Sequence, residues 1–192
     1  MVELAHILPE PASLTAHRAQ HPTGPWTTLP DTPEKADLRH QLNTEQNSLC
    51  IYCESPLAED DGHVEHLVAR SANAALTFVY TNLAHSCSSG AHCGHFKASS
   101  ALPIEPRPAC SGYFQLSFLT GQLLADRQLN AADKQRATTS LDVLGLNLDT
   151  GLVRQRQQQA QTVCALAQAS LSDVDDYLRT APFRWSLRRL VA

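Results

Sequence analysis

Along the chain, apolar and polar positions alternate in three different ways. Residues 1–31 show little periodicity and hold five prolines (Pro9, Pro11, Pro22, Pro25 and Pro30). They read as an irregular arm that packs on the rest of the chain, with Trp26 as its anchor. Thr32-Pro33-Glu34 then offers a hydroxyl cap with proline at the first helical position. Leu38 and Leu42 follow four apart on one face, which predicts a helix to about Gln46. The turn-forming Asp60-Asp61-Gly62 leads into a short strand over Gly62 to Val68. A second strand falls near Leu83 to Cys87, and a short helix over Gly94 to Ser100 ends before Pro103.

Beyond residue 105 the pattern changes again. Between Ser111 and Leu123, Tyr113, Phe114, Leu116, Phe118 and Leu119 surround polar residues and end in Thr120-Gly121-Gln122, a hairpin signal. Helices follow over 131–144, 149–169 and 172–180. Ser172-x-x-Asp175 resembles a capping box, Pro182 is a stop, and the glutamine-rich Gln155 to Gln161 forms the wet face of the middle helix. The expectation is an α+β, mostly helical chain with no internal repeat: the arm 1–31, a core over 32–105, and a part over 106–192 packed with that core as one unit.

Composition narrows the function classes. With 192 residues, 43% of them hydrophobic, the chain can bury one ordinary core. Its apolar runs are far short of the roughly 20 residues that span a membrane, and Met1-Val-Glu-Leu-Ala-His6 lacks a signal peptide's basic start and apolar block. The expected setting is cytoplasmic, with no membrane partner. Six cysteines in that reducing compartment point to thiols or metal ligands rather than disulfides. A net charge of −4 argues against an autonomous tight binder of nucleic acid, whose affinity comes from clustered cations. Local basic patches, a metal or a partner must then supply the grip. Arg179, Arg184, Arg188 and Arg189, with Phe183 and Trp185, suit either nucleic acid or a docking partner.

The cysteines sort into two pairs and two singles. Cys50 and Cys53 form a CxxC, and Cys87 and Cys93 follow with five residues between them. Two such pairs match a tetrahedral structural zinc site with sulfurs about 2.3 Å from the ion. His92 or His85 would complete the shell if one of the second pair were an ordinary buried thiol. Cys110 and Cys164 read as buried structural thiols. A four-cysteine shell is closed, so it contributes folding free energy and no catalysis. The chemistry must lie in what it holds in place: Glu65-His66 and Asn82 between the pairs, His95 and Lys97 just after them. An acid, two imidazoles, an amide and an ammonium suit phosphodiester hydrolysis. Glu65 and His95 would hold a divalent ion, Mg²⁺ or Mn²⁺, the neutral His66 would take a proton from water, and Lys97 would face phosphate. His63 and His85 read as structural or solvent-facing. In a strand, His63 and Glu65 share one side and His66 the other, so His66 can join them only where the strand ends or kinks.

The order CxxC, Glu-His, Asn-Leu-x-x-x-Cys, Cys-x-x-x-Lys resembles the HNH endonucleases of the ββα-metal type, in which a hairpin and a helix grip one catalytic ion. The match extends over about residues 35 to 160. It includes Leu42-x-x-x-Gln46-x-x-x-Cys50-Ile-Tyr-Cys-Glu54, Val64-Glu65-His66-Leu67, Tyr80-x-Asn82-Leu83, Ser86-Cys87, His92-Cys93-Gly94-x-x-Lys97, Thr120-Gly121-Gln122 and Leu141-x-x-Leu144-x-Leu146-Asn147-x-x-x-Gly151-Leu152-x-x-x-Arg156. In that extent it is similar to the HNH subunit of Septu-type and retron-associated phage defence systems. The resemblance implies a zinc-stapled ββα-metal core, and an ABC-type ATPase as partner. It implies nucleic acid as substrate, DNA by preference, with retron RNA or DNA as a further candidate.

Carried over by position, His66 matches the general base, Glu65 the acidic metal ligand and Asn82 the central asparagine that ties the loop. Lys97 matches a basic residue that contacts phosphate. Two positions depart from the pattern. Gly94 stands where an Asn or His often follows the last cysteine, with His95 next, and the Cys87–Cys93 loop is longer, which brings His92 within reach of either metal. The competing class is a non-catalytic zinc-knuckle adaptor that docks an ATPase or nucleic acid. Such an adaptor has no physical need for the Glu-His, Asn and Lys set.

Overall fold

A computed structural model describes residues 1–191. It is mostly helical, with two small antiparallel hairpins. In chain order its regular elements are α1 (Ala12–Gln20), α2 (Ala36–Glu45), β1 (His63–His66), β2 (Leu83–Ser86), α3 (Cys93–Lys97), β3 (Phe114–Leu116), β4 (Leu123–Ala125), α4 (Ala131–Val143), α5 (Thr150–Ala169), α6 (Leu171–Thr180) and α7 (Arg184–Val191). No helix among the described residues is long and apolar enough to cross a membrane.

The arm is more ordered than its prolines suggest. It contains α1 and a single turn at Trp26–Thr28. Met1, Val2 and Leu4 are buried in the main core with the cysteine knuckle. Leu14 and Leu29 join a second core made with Leu38, Leu42, Phe78, Tyr80 and Leu83, against which Trp26 packs. Single apolar residues spaced by prolines can each be buried without any helical or strand period, which is why the pattern looked irregular.

Caps and boundaries follow local chemistry. The helix expected from Thr32 begins four residues later, because Thr32 is extended (φ −137°, ψ 136°), as a residue before proline prefers, and a wide turn over Asp31–Lys35 precedes α2. In α4, Asn130 accepts from the Asp133 amide, and in α5 Asp149 accepts from Leu152. At α6 the cap is Ser170, on the Asp173 amide, two residues before the expected Ser172 and Asp175. Past Pro182 the chain resumes as α7, whose Leu187 is fully buried.

On α5, Gln155, Gln158 and Gln161 are exposed while Arg156 is buried. The second hairpin pairs Phe114 with Ala125 and Leu116 with Leu123, so it runs past the expected end at Leu123. Gly121 sits in its turn at φ +72°, a conformation that favours glycine.

The first hairpin positions the chemistry. His63 pairs with Ser86, Val64 with His85, Glu65 with Ala84 and His66 with Leu83. α3 follows β2 after the Cys87–His92 loop and is shorter than expected, since Ala98 turns to φ +50°.

The connection between α4 and α5 supports α3 from behind: the Cys93 amide donates to Leu144 O at 2.8 Å. Arg156, 1% exposed, donates to Leu146 O in the same connection. Glu54 ties in the C-terminus by accepting from the Trp185 amide (2.9 Å), the Ser186 amide (3.3 Å) and the Ser186 hydroxyl (2.6 Å). Arg184 and Arg189 are committed to the fold rather than to one cationic grip. Arg184 donates to Arg179 O at 2.7 Å and stacks on Trp185, and Arg189 pairs with Asp126 at 2.6 Å. Cys110 is buried as expected, whereas Cys164 is half-buried.

Because Leu29 belongs to a shared core, Leu29→Ala should destabilise the protein by about 2–5 kcal/mol. Urea unfolding followed by circular dichroism measures this. An unchanged midpoint would mean that the arm contributes nothing to that core.

Candidate functional site

Two groups of side chains stand out: a cluster of four sulfurs and an open cleft beside it. The ligand atoms of Cys50, Cys53, Cys87 and Cys93 all lie within 4.8 Å of one another. All four cysteines are free. A tetrahedral ion with sulfurs at about 2.3 Å separates them by about 3.8 Å, and Cys50 Sγ and Cys93 Sγ are 3.8 Å apart. The donor set and its spacing therefore fit zinc.

Surrounding groups fix these sulfurs. The Cys87 amide donates to Cys50 Sγ at 3.3 Å, and the Ser86 hydroxyl lies 3.8 Å from the same sulfur. His92 Nδ1 is 3.0 Å from Cys93 Sγ, while its Nε2 is 3.6 Å from Asp149. His92 thus braces the cluster from outside, consistent with a shell of four cysteines. His85 is fully buried, with Nε2 on Asp61 O at 2.6 Å and Nδ1 3.1 Å from Asn43 Nδ2, so it is structural.

The cleft, ≈ 710 Å³ in volume, is lined by both faces of β1's end and by α3: His63, Val64, Glu65, His66, Ala69, Arg70, Ser71, Gly94, His95, Ala98 and Ser99. β1 ends at His66, which brings Glu65 and His66 to the same space although they point to opposite sides of a regular strand. Glu65 accepts from Tyr52 Oη at 3.0 Å and pairs with Lys97 at 2.9 Å. Burial opposes its charge, but the hydrogen bond from His63 and the Lys97 ammonium outweigh burial and hold its pKa below the ordinary value.

His66 is 8% exposed, and its Nε2 lies 3.0 Å from Thr77 O. A carbonyl can only accept, so Nε2 carries the hydrogen and Nδ1 the lone pair. Burial pushes the pKa of His66 down to about 4, against the pull of the Thr77 carbonyl, so the ring is neutral at pH 7. Asn82 clamps the chain just past His66. Its Oδ1 accepts from the Val68 amide at 2.8 Å, and its Nδ2 donates to Val68 O at 3.1 Å and Leu76 O at 3.2 Å.

Two positions differ from the sequence expectation. Lys97 is 1% exposed and lies beneath the cleft, donating also to His66 O at 3.4 Å. It cannot face phosphate, because its charge is spent on Glu65. His63, read from the sequence as structural or solvent-facing, lines the cleft with Nε2 3.3 Å from Glu65 Oε2, and its buried Nδ1 has no hydrogen-bond partner. The alternation that places His63 and Glu65 on one side of β1 was the signal for it. Arg70, at the cleft's rim, is a cation exposed to solvent.

His95 also lines the cleft, its ring stacked on that of His63 with centroids 4.2 Å apart. At the preceding Gly94 a Cβ would come within 2.6 Å of Glu65 Oε2 and 2.8 Å of His63 Nε2, so any side chain there would press on this pair. Glu65, His63 and His95 are oxygen and nitrogen donors suited to a hard or borderline divalent ion. They are set more loosely than the sulfurs, which are the one group of three or more potential ligands within 4.8 Å among the described residues.

No known family's sequence profile matches the chain. A protein of Vibrio cholerae serotype O1 biovar El Tor, named "Retron Vc95 putative HNH endonuclease", is 31% identical over 169 residues, covering 81% of either chain. The chain belongs to the same family, the HNH endonucleases. A match of that share takes in the first hairpin and the sulfur cluster, so the cleft belongs to the part of the chain that is related.

Two substitutions separate the roles of cluster and cleft. Cys50→Ser should lower the zinc content measured by atomic absorption and unfold the knuckle. Lys97→Ala leaves Glu65 without its buried partner and should cost about 3–5 kcal/mol of stability. It should leave the salt dependence of nucleic-acid binding unchanged, whereas a change of that slope would restore Lys97 as a phosphate contact.

Proposed function

We propose that the chain is a metal-dependent HNH endonuclease that hydrolyses phosphodiester bonds of nucleic acid, DNA by preference. The observation that carries this reading is the neutral His66, with its Nδ1 lone pair free to accept a proton, held beside the Glu65, His63 and His95 donor set in one open cleft. A non-catalytic adaptor would gain nothing from a buried imidazole whose tautomer is set by a carbonyl and whose following loop is clamped by an asparagine.

In this reading a divalent ion, Mg²⁺ or Mn²⁺, bound by Glu65 with His95 and His63, would polarise the scissile phosphate and stabilise the leaving 3′ oxygen. His66 accepts the proton of the attacking water at Nδ1 as oxygen bonds to phosphorus in line with the departing 3′ oxygen. The ester bond breaks and leaves a 5′ phosphate and a 3′ hydroxyl, the latter protonated from solvent. Asn82 keeps the Leu67–Val68 backbone in place, so that the imidazole meets the water in one orientation. Lys97 keeps Glu65 ionised and pointed into the cleft. Arg70 neutralises a phosphate at the rim.

Net charge −4 leaves the chain short of cations for holding a polyanion alone. The resemblance to defence nucleases supplies a solution: an ABC-type ATPase as companion, with retron RNA or DNA as a further candidate component, in the cytoplasm. The exposed Arg188 and Arg179 on α7 and α6 are available to such a companion.

His66→Ala should retain zinc and fold while lowering cleavage of plasmid DNA with Mn²⁺ by at least about 10²-fold. Arg70→Ala should weaken binding several-fold and reduce its salt dependence by about one ion. Undiminished cutting by His66→Ala would remove the general-base assignment.

A further inference from the structure

The N-terminal arm reaches His66 through one side chain. Trp26 meets His66 edge to face, with ring centroids 4.7 Å apart and planes at 88°. It is itself held firmly: its ring stacks on the fully buried Phe78 (5.8 Å, 24°), Lys35 Nζ lies 5.7 Å over it, and the turn that carries it is closed by Leu29 N donating to Trp26 O at 3.2 Å. Phe78 follows Thr77, whose carbonyl receives the hydrogen of His66 Nε2. Trp26 is not among the residues that line the cleft, and its contact with the site is through His66.

We infer that Trp26 is a positioning residue: by packing against His66 and Phe78 it locks the His66 ring in the orientation that keeps the hydrogen on Nε2 and turns Nδ1 to the cleft. The inference rests on His66 being the proton acceptor of the proposed nuclease. Its physical reason is that an imidazole has a soft second torsion with two roughly equivalent wells. One neutral hydrogen bond favours a single well by only about fivefold. A ring wedged at van der Waals distance removes the space that the alternative well needs, so reactive orientations are not diluted by idle ones. The arm is then part of the catalytic apparatus although it lies outside the motif that carries the chemistry.

The test compares the parent with Trp26→Ala, Trp26→Leu, Trp26→Phe and His66→Ala, all zinc-loaded. Two quantities are read: kcat and KM for DNA cleavage with Mn²⁺, and the ¹⁵N signals of the His66 ring, assigned by their loss in His66→Ala. The parent should show a single Nε2–H tautomer. Trp26→Ala, or Trp26→Leu if the alanine variant does not fold, should show a mixture with Nδ1–H. Its kcat should fall about 10- to 100-fold at unchanged KM, and Trp26→Phe should recover most of the loss. A His66 ring still wholly Nε2–H in the variants overturns the inference, whatever the rate does. Cleavage by His66→Ala at the parent rate would instead overturn the nuclease reading, which the ring signals alone do not test.

Discussion

Four sulfurs gathered within 4.8 Å of one another are the constraint on which the remaining structure depends. They join the CxxC after α2 to the end of β2 and the start of α3, more than thirty residues later. Without an ion, buried thiols crowded together disturb one another's proton affinity. Burial drives the pKa of Cys93 well above its ordinary value, while Cys50, despite the same burial, is drawn well below by hydrogen bonds from Cys53, Cys87 and Cys93. An ion that takes all four as thiolates removes this conflict and makes binding free energy part of folding free energy. Because Cys93 is also the first residue of α3, the same contact sets α3 against β1 and thereby the width of the cleft.

Charges around the cluster are used to join elements rather than to meet solvent. Glu54, next to the CxxC, collects three donors from the start of α7. Arg156 on α5 reaches the α4–α5 connection that receives the Cys93 amide, and burial lowers its pKa to about 10, which still leaves it a cation. In the cleft, Lys97 is consumed by Glu65. Of the chain's cations, Lys97, Arg156 and Arg184 are buried and so are withheld from any polyanion.

How much could be read in advance differed with the range of the interaction. The cysteine pairs, the Glu65-His66 dipeptide and the caps at Asn130 and Asp149 are local, and their spacing is enough to read them. The positions whose surroundings the sequence does not show are those where a long-range partner decides. Lys97 looks like a free helical charge until β1 lies under it, and His63 looks like a spectator until Glu65 and His95 converge on it. Ser170 displaced Ser172 as the α6 cap through a boundary shift that residue types of equal capping ability cannot settle.

By itself, the sequence determined the zinc-fitting donor set, the short strands and helix that carry the candidate chemistry and the helical character of the last third, because each depends on spacing along a chain of known rise. Only the tertiary structure decided which cation meets solvent and which is buried, which histidines enter the cleft, and that Trp26 of the arm packs on His66. Those outcomes depend on burial and on contacts between elements more than thirty residues apart, and no local pattern encodes what will lie opposite a side chain once the core has closed.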